Sequence, residues 1–167
     1  MTNAPITRRP KPAPDPATRG SEDLWLNAAY EVLVTAGVDA VKVMPLAQML
    51  GLSRTSFYWH FKDREALLAA LLDRWEAQNT GNLVARTEAY AESINEALYN
   101  LFDCWLTRDL FDSRLDFAIR NWALGDPVVK AKLQRTDETR ITAIRTMFER
   151  FGYAPDHADT RAHTVYY

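Results

Sequence analysis

From Ser21 onward, apolar residues return at intervals of three and four, the period of a helix with one face turned to a core. Leu24, Ala28 and Val32, with Trp25, Ala29 and Leu33 beside them, form the first such stripe. Ser21 is placed to cap it, Glu22 and Asp23 sit where the helix dipole favours acids, and Gly37 supplies the stop. Two short helices are expected next. A longer one follows, capped by Asp63, in which Leu67, Leu71 and Trp75 recur four apart until Thr80, Gly81 and Asn82 break it. A further helix is expected from about Glu88 to Leu106, with Ile94, Leu98, Leu101 and Trp105 on one side. Asp112 or Ser113 opens the next, which carries Leu115, Ile119 and Trp122. Asp126 before Pro127 is a cap-then-proline start for a long helix whose stripe runs through Leu133, Ile141, Ile144, Phe148 and Phe151 to Gly152. A last helix begins at Ala154 and Pro155 and reaches Tyr166 and Tyr167 without a stop signal. No stretch alternates as a strand does, and no segment repeats. The pattern predicts an all-α fold.

Residues 1–20 depart from this pattern. They are rich in proline, with Arg8, Arg9, Lys11 and Arg19 set against Asp15 alone, so they cannot bury much apolar surface. They are expected to form a flexible basic arm, either an idle tail or one that reaches along a DNA groove. The net charge of −2 argues against a nonspecific coater of nucleic acid. Residues 1–64 carry eight Lys and Arg against six Asp and Glu, and the remainder twelve against sixteen. Any phosphate-facing surface therefore belongs to the first third. The single cysteine, Cys104, rules out an intramolecular disulfide or a cysteine-based zinc site and suits a reducing cytosol. No apolar run reaches the ~18–20 residues that would span a membrane, and no signal peptide opens the chain. A cytoplasmic protein is expected. His157 and His163, six apart, do not share a helix face for a metal. No paired carboxylates, nucleophile elbow or phosphate loop point to an enzyme, and no cofactor is expected.

The informative segment is KVMPLAQMLGLSRTSFYWHFKDREALL, residues 42–68. Pro45 fits the first turn of a short helix ending near Leu50, and Ala47 is small enough for a second helix to cross closely. Gly51 makes a tight turn, Leu52 inserts into the core, and Ser53 caps a second short helix from which Phe57 and Phe61 face inward. Arg54, Thr55, Ser56, Tyr58, Trp59 and His60 are left on its outer side, every one able to hydrogen-bond or stack. A helix presenting such groups from its first turns is suited to a major groove, and the combination defines a helix-turn-helix.

The same run resembles the tetracycline-repressor (TetR) family: a helix with a small residue, a Gly-apolar-Ser turn, then aromatic-Tyr-x-His-Phe and a basic-acidic-x-Leu helix start. The likeness covers residues 21–75, and LDFAIRNWALGDPVVKAKLQRTDETR resembles the body of many members. The resemblance implies a homodimeric, DNA-binding repressor. Its first three helices bind double-stranded DNA, a fourth links them to a body holding a small-molecule effector, and the last two helices dimerise. Arg54, Thr55 and Ser56 would face base edges or nearby phosphates, and Tyr58, Trp59 and His60 would bind backbone phosphates. Arg64 would reach a phosphate with Lys62 beside it, and Ser53 and Lys42 complete the DNA-facing set. Val43 and Met44 stand where many members have Thr or Ser, which leaves Lys42 to replace that contact. The implied organisation is an arm over 1–20, a headpiece over 21–62 and a ligand-binding and dimerisation body over 63–167. One helix fewer than usual is found, so the body is expected to lack its final helix.

Any single aromatic in the body is most simply core. Together, however, Trp75, Trp105 and Trp122 lie on three helices that the family packs around its effector cavity, with Phe102 near Trp105. Arg120 and Asn121 are either a polar anchor for a ligand or a solvated face. Asp109, Asp112 and Asp116 are explained by capping and solvation. An activator of the same family, or a helical small-molecule-binding protein or enzyme with a degenerate headpiece, are the competing readings.

Overall fold

Residues 20–167 are described by the computed structural model of the chain; apart from Gly20, the expected basic arm lies outside them. All regular structure among the described residues is helical. Helix α1 spans Glu22–Ala36, and the Ser21 hydroxyl accepts from the Leu24 amide. Its inward face is turned relative to the expected stripe. Trp25, Leu26, Ala29 and Leu33 are buried, while Leu24 is 40% exposed and Val32 is only half-buried. The largest side chain decides the rotation: the Trp25 indole meets the Phe57 ring edge-on at 5.3 Å.

Gly37 and a short 3-10 turn at Val38–Ala40 lead to α2, Val43–Leu50. Lys42 opens α2 without a side-chain cap, as the missing Thr or Ser implies. Helix α3, Arg54–Phe57, is one turn long, shorter than expected, and its chain continues in hydrogen-bonded turns to Phe61. Asp63 then caps α4, Arg64–Trp75, through the Ala66 amide.

The expected break at Thr80, Gly81 and Asn82 does not occur. The helix passes through a π segment, Glu76–Thr80, into α5, Gly81–Glu88. The polar residues that look like a breaker are satisfied by the body instead. Asn79 is buried and brackets the Asp112 backbone, donating to its carbonyl at 3.1 Å and accepting from its amide at 2.9 Å. Thr80 Oγ1 accepts from Arg140 Nε at 2.9 Å. The wider π turn brings both side chains to the same wall. The next helix also starts later than expected: α6 is Ile94–Leu106, capped by Ser93.

Helix α7, Ser113–Ala123, is capped by Asp112; α8, Pro127–Arg150, by Asp126; and α9, Pro155–Tyr166, begins on its proline. No helix among the described residues is long and apolar enough to cross a membrane. Two apolar clusters hold the chain together. The first joins α1 to α4 with Leu115, Ile119 and Ala123 of α7 and Val129 of α8. The second packs Leu83, Leu101, Cys104, Ile144 and Phe148 beneath α9. The headpiece core is therefore continuous with the near end of the body through α7 and the first turn of α8.

Candidate nucleic-acid interface and effector cavity

The turn between α2 and α3 has the anatomy its residues imply. Gly51 adopts φ +65°, a left-handed conformation that glycine takes without penalty. The Leu52 amide returns to the Ala47 carbonyl at 2.9 Å, and Ser53 caps α3 by accepting from the Ser56 amide. Phe57 is fully buried between Trp25 and Phe61, whose rings lie at 5.3 and 5.5 Å. These contacts hold α3 from beneath. Lys42, Ser53, Arg54, Thr55, Tyr58, Trp59 and Lys62 are exposed on the outside, Trp59 by 53%. Arg54 is not loose: Nη2 and Nε donate to the Tyr58 hydroxyl at 3.0 and 3.3 Å, and the guanidinium lies 5.6 Å from the ring centre.

Three residues expected on this face are engaged elsewhere. Ser56 is buried, with its hydroxyl 3.1 Å from that of Ser53, because a one-turn helix brings it under its own cap. His60 is half-buried and donates from Nε2 to the Gly20 carbonyl at 3.1 Å, tying the start of the described chain to the headpiece. Arg64 donates from Nε to Val41 O and from Nη2 to Val38 O, at 2.5 and 2.7 Å. Its guanidinium closes the end of the 3-10 turn, sharing the Val38 carbonyl with the Val41 amide.

The body residues singled out for a ligand do not converge on one cavity. Trp75 is fully buried, and its Nε1 donates to Asp116 Oδ1 at 2.8 Å, so it backs a wall. Trp122 donates to Asp126 and lines a groove of about 640 Å³ between α4 and the α7–α8 corner. Phe102 is exposed, by 44%, and meets Trp105 at 5.7 Å. Trp105 and Arg120 do meet, in a cavity of about 520 Å³ lined also by Phe111, Asp116, Phe117, Val165, Tyr166 and Tyr167. The groove holding Trp122 is larger, but buried charge gathers behind the Trp105 cavity.

Asp116, expected to be solvated, is buried in that charge, and Arg120, open between a ligand anchor and a solvated face, lies half-buried over it. Asp116 is buried, and its carboxylate accepts from Trp75, from Arg140 Nη1 at 3.0 Å and from Arg120 Nε at 2.8 Å. Arg120 forks onto Asp137 with Nη1 and Nη2 at 3.0 and 2.7 Å. The Tyr166 hydroxyl donates to Asp137 Oδ1 at 2.6 Å and accepts from Arg120 Nη2 at 3.1 Å and Arg140 Nη1 at 3.2 Å. Arg140 is wholly buried, with its guanidinium carbon 5.1 Å from the Trp75 ring and 5.2 Å from that of Phe111. Burial alone would raise the Asp116 carboxyl, but Arg140 and Arg120 outweigh it and hold the group below its ordinary value. Burial pushes the Tyr166 hydroxyl up to about 12; Asp137 adds to this and Arg140 opposes it, so the phenol stays protonated.

Asp137, Arg140 and Tyr166 escaped the sequence reading, although one trace was there. The α8 stripe skips from Leu133 to Ile141, and Asp137 occupies the missing i+4 position. A second missed link joins headpiece and body. The Tyr30 hydroxyl of α1 donates to Asp112 Oδ2 at 2.7 Å and accepts from Arg108 at 3.1 Å.

A short capped helix set on a glycine turn, carried by a helical body, defines a helix-turn-helix protein. Residues 26–71, the headpiece and the start of α4, match the family described as bacterial regulatory proteins, tetR family. The chain is 36% identical over 63 residues to the tetracycline repressor protein class A from transposon 1721 of Escherichia coli, which covers 38% of this chain and 29% of that protein. It is 44% identical over 46 residues to the class D repressor of Escherichia coli, 28% of this chain and 21% of that protein. The class H repressor of Photobacterium damsela subsp. piscicida is similar to the same extent. The matches thus span less than a third of the length of each of these relatives.

Proposed function

We propose that the chain is a cytoplasmic transcriptional regulator, most simply a repressor. It binds a palindromic DNA site as a homodimer and is released by a small-molecule effector held in its body. The observation that carries this reading is α3, seated by Phe57 and Ser53, with Arg54, Thr55, Tyr58 and Trp59 turned outward. Residues 21–62 form the reading headpiece, with Lys42 and Lys62 toward phosphates, and residues 63–167 form the responsive body. Two copies would set their α3 helices in major grooves ~34–36 Å apart. Backbone contacts fix register while base contacts specify, so Arg54 and Thr55 carry the discrimination. The effector belongs in the cavity of Trp105 and Arg120, where aromatic walls meet convergent polar groups.

The test is selection from a pool of random duplexes, read by sequencing after several rounds. A two-fold symmetric sequence should emerge, and Arg54→Ala should weaken its binding. A pool that stays random while the protein remains folded would overturn the reading.

A further inference from the structure

The cavity beside Trp105 already holds a ligand-like group of the chain's own. The Tyr166 side chain is a phenol whose ring forms part of the wall, and its hydroxyl sits among Arg120, Arg140 and Asp137. A phenolic hydroxyl has one proton to donate and lone pairs to accept with. Here one carboxylate oxygen takes the proton, and two guanidinium nitrogens face the lone pairs. The arrangement is a complete recognition site for a neutral phenol. It is built from residues of α7 and α8, and α9 only inserts into it.

Two further observations point to a ligand rather than to packing alone. Arg140, with no exposed surface, keeps Nη2 without an acceptor, so the cluster has donor capacity that Tyr166 does not use. Buried donors are seldom left unpaired without a functional reason. The space next to the Tyr166 ring, about 520 Å³, is also bounded by Trp105, Phe111 and Phe117, and Phe117 is 68% exposed. Aromatic walls beside a hydroxyl-reading cluster match a flat ring carrying a hydroxyl.

We infer that the effector is a hydroxyaromatic molecule, and that its hydroxyl replaces that of Tyr166 between Arg120, Arg140 and Asp137. The inference rests on the proposed regulatory reading for its word effector, but not for the binding itself. Exchange of one phenol for another leaves the charges of the cluster unchanged. What changes is α9: once Tyr166 is displaced, the end of that helix loses its polar tie to α7 and α8. The ligand therefore binds at the expense of a contact within the protein, and its affinity depends on how firmly that contact is made.

The probe is p-cresol, which is the tyrosine side chain itself, with toluene as the same shape lacking the hydroxyl. Both are titrated calorimetrically into the full chain without DNA, and into Tyr166→Phe with and without Arg120→Met. In the wild-type chain p-cresol gains these hydrogen bonds only as Tyr166 gives them up, so it should bind about as tightly as toluene. Tyr166→Phe removes the competing hydroxyl and should tighten p-cresol about tenfold, the worth of hydrogen bonds to charged partners, while leaving toluene where it was. Adding Arg120→Met to Tyr166→Phe should abolish that preference. Equal binding of p-cresol and toluene to Tyr166→Phe, no gain over the wild type, or no binding of p-cresol to any folded variant would overturn the ligand class. DNA affinity is measured separately on the selected duplex with and without p-cresol. Intact DNA binding without p-cresol binding sinks the ligand class alone. The reverse, p-cresol bound to a chain that selects no DNA, sinks the regulatory reading and leaves the ligand class standing.

Discussion

Replacing Asp116 with Asn should be among the most damaging single changes in the body. Among the described residues, Asp116 is the only carboxylate paired with Arg140, which has no exposed surface. Arg120 loses less, because Asp137 still grips it with two hydrogen bonds. An asparagine can keep the acceptor that serves Trp75, but it removes the charge and sets an amide donor against another donor at Arg120. The cost is therefore that of a buried guanidinium left without a counter-ion, about 3–5 kcal/mol. For a chain of this size that corresponds to a fall in Tm of roughly 6–20 °C. Urea unfolding followed by circular dichroism measures it, with an unchanged m-value showing that the denatured state is the same. Asp116→Leu combined with Arg140→Met should recover most of the loss, since exchanging a buried pair for apolar residues is often neutral.

The pH dependence follows from the same contacts. The folded carboxyl titrates below its ordinary value of 3.8, so its stabilisation is present above that value and drains away as pH falls through the folded one. The gap between wild type and Asp116→Asn should be flat from about pH 5 to 8 and should close only in stronger acid. A loss under about 1 kcal/mol at neutral pH, or a gap that closes near neutrality, would refute the reasoning, because it would mean that Arg140 reaches water once its partner is gone.

Other outcomes can be checked on the same preparation. Tyr30→Phe should cost about 1.5–3 kcal/mol in urea melts, since buried Asp112 loses the charge-assisted hydrogen bond that ties it to α1. Gly20→Ala should cost ~1–2 kcal/mol, because Gly20 holds φ +68° and a methyl there would come within 2.8 Å of Leu52 Cδ1; a shift in the His60 ring signals in an NMR spectrum would report the loosened contact to the Gly20 carbonyl. On the selected duplex, Arg54→Ala should change base preference by ~1–3 kcal/mol if its contact is bidentate. Tyr58→Phe should lower affinity and blur that same preference, because the Tyr58 hydroxyl holds the Arg54 guanidinium; additive losses in the double variant would show the two act apart.

The headpiece was legible in the sequence because its determinants are local. Ser21, Ser53 and Asp63 each cap the helix they precede, and Gly51 turns the chain where its missing Cβ is needed. Local signals misled where a distant residue supplied the partner. Thr80, Gly81 and Asn82 look like a break only while Asn79 and Thr80 lack Asp112 and Arg140, which lie 33 and 60 positions further on. Arg64 and His60 look outward for the same reason, since their acceptors at Val38, Val41 and Gly20 lie 26, 23 and 40 positions back. Ser56 differs: its partner Ser53 is local, and the one-turn length of α3 is what buries it. Phe57 and Leu67 needed no such knowledge, since an apolar side chain finds burial on whichever face closes.

Other polar residues that local pattern could not place lie on the boundary between headpiece and body. Asp112 caps α7 through the Leu115 amide, accepts from Tyr30 of α1, and has its backbone bracketed by Asn79 of the π segment. One turn later on the same helix, Asp116 holds Trp75 of α4 and Arg140 of α8. Helix α7 thus carries two buried carboxylates, one reaching the first headpiece helix and the other bordering the Trp105 cavity. A displacement of α7 along its axis cannot break one set of contacts and spare the other, because both carboxylates sit on a single rigid turn. On the proposed reading this makes α7 the element on which effector and DNA compete. A molecule that rearranges Arg120 and Tyr166 acts on Asp116, and through one helical turn on the grip of Asp112 upon Tyr30. The competition can be no stronger than the effector's difference in affinity between a state that keeps these contacts and one that loses them, and hydrogen bonds to buried carboxylates, at ~1.5–3 kcal/mol each, are of the size that allosteric coupling requires.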